Sequence, residues 1–224
     1  MVKRGILLAV ACWMAMTVTA QDRQALLDSL AVATDRLSFR PDSVDLRLRK
    51  AGFNLQLEQW QYAKDEYDYV LKRHPENIAA LYFRAYANEK LNRLHFAKLD
   101  YEGLLALIPS HFEARLGLSL LCQKMGRTTE ALDQINLLAV QHPDSAIAYA
   151  ARAGIEVERN LYDLAEEDFS EAINRDDRNI DYLLNRAAVR IRLKRKNEAW
   201  EDLERLVKLG VPRYALSEYF SACK

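Results

Sequence analysis

The sequence predicts an all-α protein built from stacked antiparallel helix hairpins. Three observations predict it. The composition favours helix: half of the 224 residues are hydrophobic, 29% are charged and only 7 are glycine. No alternating Val-, Ile- or Thr-rich stretch suggests a strand. Four of the 5 prolines, Pro41, Pro75, Pro109 and Pro143, stand on a 34-residue ruler.

The first twenty residues differ from the rest. Lys3 and Arg4 precede an apolar, uncharged run from Ile6, which ends in small residues before Gln21. That order predicts a secretory signal peptide at 1–20, cleaved after Ala20. The run is short for a membrane span, so no stable span is expected after cleavage. An uncleaved anchor, or a lipoprotein signal ending at Cys12, is the alternative. An exported chain of this kind resides in the periplasm if its source is a Gram-negative bacterium, and is otherwise secreted.

Cleavage would remove two bases and no acid from a chain with 32 of each. The slightly acidic remainder has no global field for nucleic acid or anionic lipid. Cys122 and Cys223 would remain. They are far apart in the predicted stack, so no intrachain disulfide is expected, because one needs Cα atoms within ~7 Å.

The repeats follow. Blocks of thirty-four begin at Val44, Ile78, Phe112, Ala146 and Ile180. Block position 20 is Ala63, Ala97, Ala131, Ala165 and Ala199, and position 8 is Ala51, Ala85, Ser119, Ala153 and Ala187. Position 24 is Tyr67, Tyr101, Ile135, Phe169 and Leu203, and position 27 is Val70, Leu104, Leu138, Ala172 and Leu206. Positions 20, 24 and 27 share one helix face. Small residues at 8 and 20 let two helices approach, and a large one at 24 fills the space beside them. Each block therefore predicts a first helix over positions 1–14 and a second over 17–30. Turns such as Asn92-Arg93 and Gly126-Arg127 join them. The prolines stop the second helix, since proline cannot continue it. Ser43, Asn77, Ser110, Ser145 and Asn179 are placed to cap the next one. At the last boundary Asp177 stands where proline is expected.

These blocks resemble the tetratricopeptide repeat in period, small positions, large position and proline. The resemblance covers five repeats, 44–77, 78–111, 112–145, 146–179 and 180–211. It implies a right-handed α-solenoid whose first helices line a concave face. Residues 21–43 then read as an N-terminal helix or degenerate half-repeat, and 212–224 as a capping segment. Capping segments shield the apolar face of an end repeat.

Charge repeats too. Position 7 is Lys50, Arg84, Leu118, Arg152 and Arg186, and position 23 is Glu66, Asp100, Gln134, Asp168 and Asp202. Base and acid disappear together in the third block, which predicts ion pairs between helices. A basic ladder for an anionic ligand is the alternative. The basic run at 190–196 is expected to face acids such as Glu166, Glu167, Asp168 and Glu171.

The resemblance places binding on the concave face. The candidates are Tyr82, Tyr86, Glu89 and Lys90 in the second repeat, Leu116, Leu120, Gln123 and Lys124 in the third, and Val157 and Glu158 in the fourth. Aromatic anchors with a polar rim suit a peptide or partner helix. Chaperone-docking members of the family clamp a terminal carboxylate with Lys and Asn at positions 5 and 9. Leu48 with Gly52, and Tyr82 with Tyr86, do not match that pattern.

No phosphate loop, zinc-protease motif or nucleophile elbow is present. His74 and His142 repeat at position 31, near helix ends, where a cation suits the helix dipole. No cofactor, metal or catalytic residue is therefore expected. The sequence predicts an exported, non-enzymatic scaffold that binds a protein or peptide. The alternative is a structural subunit of a cell-envelope assembly using convex or end surfaces. The oligomeric state is left open.

Overall fold

The computed structural model describes residues 20–224, so the leader expected at 1–20 lies outside the described residues but for Ala20. The described residues contain helices and no strand. The chain divides into two compact units, whose described parts are 20–127 and Thr128–Lys224.

The first unit comprises α1 (Ala20–Phe39), α2 (Val44–Gln56), α3 (Trp60–Arg73), α4 (Ile78–Lys90), α5 (Leu94–Leu107) and α6 (Phe112–Lys124). The second comprises α7 (Thr128–Gln141), α8 (Ala146–Glu158), α9 (Tyr162–Arg175), α10 (Ile180–Arg192) and α11 (Lys196–Lys208). A 3-10 turn (Arg213–Leu216) and α12 (Ser217–Ala222) follow. Within each unit, helices pack chiefly on their neighbours in sequence, as in a repeat array.

The small residues sit where the helices meet. Ala51, Ala63, Ala85 and Ala97 in the first unit, and Ala153, Ala165, Ala187 and Ala199 in the second, are fully buried. So are Ser119 on α6 and Ala131 on α7. Tyr67, Tyr101, Phe169 and Leu203 are buried beside them. At the C-terminal end, Leu216 and Phe220 lie in one cluster with Leu203 and Leu206 and cover the last hairpin.

Every turn inside a hairpin uses one left-handed residue at block position 15. These are Glu58 (φ 60°), Asn92 (57°), Gly126 (73°), Asn160 (60°) and Lys194 (62°). Around each, two backbone bonds close the helix end. Gln59 N–H reaches the Asn54 carbonyl at 2.8 Å and Glu58 N–H the Leu55 carbonyl at 3.0 Å, and the same pair recurs at each turn.

The connections between repeats follow the prolines. The second helices end at Arg73, Leu107, Gln141 and Arg175, two residues before Pro75, Pro109, Pro143 and Asp177. In the turns that hold a proline, the backbone bond from the residue before the next helix is 3.0–3.1 Å. Where Asp177 replaces proline, the Asn179-to-Asp176 bond lengthens to 3.4 Å. Proline's fixed φ holds the tighter form. Guanidinium groups satisfy the exposed turn carbonyls: Arg47 donates to Pro41 O, Arg115 to Pro109 O and Arg175 to Pro143 O.

Ser43, Asn77, Ser145 and Asn179 cap the following helices. The fifth cap is His111 and not Ser110: His111 Nδ1 accepts from Ala114 N–H at 3.3 Å. The cap must directly precede the first helical residue, and Ser110 lies one residue too early.

The charged positions pair as their covariation predicts. Lys50 meets Glu66 at 2.7 Å, Arg84 meets Asp100 at 2.5 Å, Arg152 meets Asp168 at 2.5 Å and Arg186 meets Asp202 at 2.7 Å. Each arginine also reaches back one repeat to block position 25. Arg84 Nη1 donates to Asp68 (2.9 Å), Arg152 Nη1 to Asn136 (3.3 Å) and Arg186 Nη1 to Ser170 (3.0 Å). One guanidinium thus ties its own hairpin together and fastens it to the preceding one.

Of the acids expected to face the basic run, Glu166 does so, joined by Asp163 and Asp202. Arg190 binds Glu166 (2.7 Å) and Asp202 (2.8 Å), while Arg195 binds Glu166 and Asp163. Asp168 is held by Arg152, and Glu171 by Arg175.

Candidate functional site

Residues spaced at i, i+4, i+7 and i+8 share one helix face. On α4 this spacing presents Tyr82, Tyr86, Glu89 and Lys90 together. On α6, in the same unit, it presents Leu116, Leu120, Gln123 and Lys124. Lys90 and Lys124 are exposed, and the other six are half-buried. Side chains of this kind are accessible yet held in place.

The aromatic side chains form a connected set. The Tyr86 ring meets Trp60 of α3 edge-on, with centroids 5.9 Å apart. Tyr82 lies 6.1 Å from Tyr101 of α5 and stacks on His111 at 6.0 Å. Lys90 Nζ stands 5.1 Å from the Tyr86 ring centroid and 5.7 Å from that of Trp60, within reach of both π-faces.

A buried hydroxyl anchors the acidic member. Tyr101 donates from its hydroxyl to Glu89 Oε1 at 2.7 Å. Burial pushes the Glu89 carboxyl above the usual carboxylate range, against the Tyr101 hydrogen bond and the charges of Lys124 and Lys90. Burial also raises the Tyr82 phenol, aided by Glu113, Glu89 and Tyr86. Tyr101 fits because residue 117 on α6 is glycine: a Cβ there would come within 2.8 Å of Tyr101 Cζ.

Two residues of the candidate set lie in the other unit. Glu158 is exposed. Val157 is a correction: it is buried in a cluster with Ala153, Phe169 and Val189. The helix of the next repeat closes over it, so it is a core side chain. Trp60 and Tyr101 belong to the aromatic set and were not expected there. Both lie on second helices, whereas the resemblance directed attention to first helices. A further buried acid sits in the second unit. Glu156 occupies the block position where Asn88 donates to Asp100 at 3.0 Å. Its Oε2 has no hydrogen-bond partner among the described residues. Burial first, then the charge of Asp168, raises its carboxyl to about 8.

Among the described residues no three His, Cys, Asp or Glu side chains gather as metal ligands would. No helix among them is long and apolar enough to cross a membrane.

No family model matches the chain, and no curated protein matches it. Solved structures do. A tetratricopeptide repeat protein from Parabacteroides merdae is 22% identical, with a TM-score of 0.65 over 91% of this chain and 80% of its own. PilF of Pseudomonas aeruginosa is 16% identical, with a TM-score of 0.71 over 91% of this chain and 92% of its own. YrrB, described as a TPR protein with an unusual peptide-binding site, is 15% identical, with a TM-score of 0.62 over 80% and 92%. The chain therefore has the tetratricopeptide-repeat fold.

Proposed function

We propose that this chain is a non-enzymatic interaction scaffold that docks a peptide or partner helix on the α4–α6 face. The observation that carries this is the half-exposed set of Tyr82, Tyr86, Leu116 and Leu120, rimmed by Glu89, Lys90, Gln123 and Lys124. Apolar anchors held by packing lose little side-chain entropy on binding, and a polar rim sets orientation. The peptide-binding description of YrrB supports the same mode on the same fold. Residues 44–211 act as five repeats, and docking makes and breaks no covalent bond. The order of residues 1–20 supports export, with action in the envelope or outside the cell.

A second reading is a structural subunit of an envelope assembly. Phe96 and Leu99 on α5 favour it, at 60% and 51% exposed. A photoreactive residue placed in cells at Tyr86 or Leu120, and separately at Phe96, decides between them. Docking yields one discrete adduct from Tyr86 and Leu120 that Phe96 does not give. The same adducts from both surfaces, or an adduct from Phe96 alone, would reject it.

A further inference from the structure

The bases around this face fall into two groups. Arg84 is committed to Asp100 and Asp68, Lys64 to Asp68, and Arg47 and Lys50 to Glu66. Lys90 and Lys124 are exposed and form no ion pair within 4.0 Å among the described residues. They occupy the same block position in successive repeats, so the period sets them on α4 and α6 of one unit. Lys90 is held over two aromatic rings. The acid they act on, Glu89, is half-buried and already engaged by Tyr101. Its burial favours the neutral form, so it is a poor counter-charge for two ammonium groups.

We propose that the face docks a segment of a partner protein that carries a carboxylate beside an aromatic or aliphatic residue. The carboxylate meets Lys90 and Lys124, and its apolar neighbour lies against Tyr86 and Trp60. This rests on the docking reading and names the chemistry of the partner. A carboxylate here adds a Coulomb attraction to the weak one that half-buried Glu89 supplies, and it leaves the ammonium of Lys90 on its rings. The other end of the face carries the opposite sign. There Glu113, with His111 beside it at 3.3 Å, borders Tyr82. That acid disfavours a ligand that is acidic throughout and favours a single acidic end.

The test measures binding of short capped peptides to the purified chain by fluorescence anisotropy. One peptide alternates phenylalanine with aspartate at one end only. Its control replaces each aspartate by asparagine. The acidic peptide is expected to bind about tenfold tighter at low salt. Lys90→Gln and Lys124→Gln should each remove about fivefold, and Lys208→Gln on α11 should change nothing. Glu89→Gln keeps an acceptor for Tyr101 and removes the acid on which both lysines act, so it should tighten acidic binding by about twofold. Equal binding of the two peptides overturns the charge assignment while leaving docking intact. Failure of both peptides overturns docking as well. Equal affinity for a short oligothymidylate also overturns the proposal, since charge without an apolar neighbour would then suffice.

Discussion

Arg84 grips Asp100 through Nε, 3.0 Å from Oδ2, and Nη2, 2.5 Å from Oδ1. Asp100 is buried and also accepts from Asn88. Removing the guanidinium strands a buried carboxylate, which costs more than the pair itself contributes. Arg84→Met should therefore destabilise the protein by about 2–4 kcal/mol in urea unfolding. Lys50→Met should cost about 1 kcal/mol or less, because Glu66 keeps Arg47 at 2.6 Å.

Glu156 makes stability depend on pH. Its carboxyl titrates near 8 when folded, against 4.5 for an ordinary glutamate. Between those values the folded state holds a proton that the unfolded state has released. Stability from this group is therefore complete below pH 4.5 and is lost as pH rises through 8. Glu156→Gln should flatten the stability profile over this window and raise the urea midpoint at pH 9. Asp168, Arg152 and Glu167 remain as charged neighbours in the variant. An unchanged slope would remove Glu156 as the cause.

The left-handed turn residues are unequal. Glycine at 126 adopts φ 73° freely, while Glu58 and Lys194 hold φ 60° and 62° with a Cβ. Glu58→Gly and Lys194→Gly should each stabilise by about 0.5–1 kcal/mol, and Gly126→Ala should destabilise by about 1 kcal/mol. Thermal unfolding of the three variants checks the signs.

Gly117→Ala drives a methyl group toward the Tyr101 ring, 2.8 Å from Cζ. Tyr101 is buried, so the helices must separate or the ring must move. Either response costs about 1–3 kcal/mol and loosens the Tyr101–Glu89 bond. Loss of stability together with weaker partner binding is expected; native stability would show that α5 and α6 yield without cost.

The fold was legible because its determinants repeat. One alanine at position 20 is ambiguous, but five at a fixed period specify helix contacts. The ion pairs were legible because Leu118 and Gln134 lose their charge together. Their second partners, Asp68, Asn136 and Ser170, were not, because those contacts cross from one repeat to the next. His111 was missed because histidine is an unusual cap and a serine stood one residue away. Val157 was assigned to the surface by block position alone. In α8 that position meets the next repeat, whereas in α4 the equivalent Glu89 stays half-buried against Tyr101. Trp60 opens a second helix, and nothing in its spacing ties it to Tyr86.

The most direct measurement is the affinity of the partner captured at Tyr86 for two purified variants, by titration calorimetry. Docking on α4–α6 predicts that Tyr86→Ser and Leu120→Ser together weaken binding by about a hundredfold or more, at an unchanged m-value in urea, while Phe96→Ser leaves it intact. Full affinity in the Tyr86/Leu120 variant, with loss in Phe96→Ser, would contradict recognition on this face.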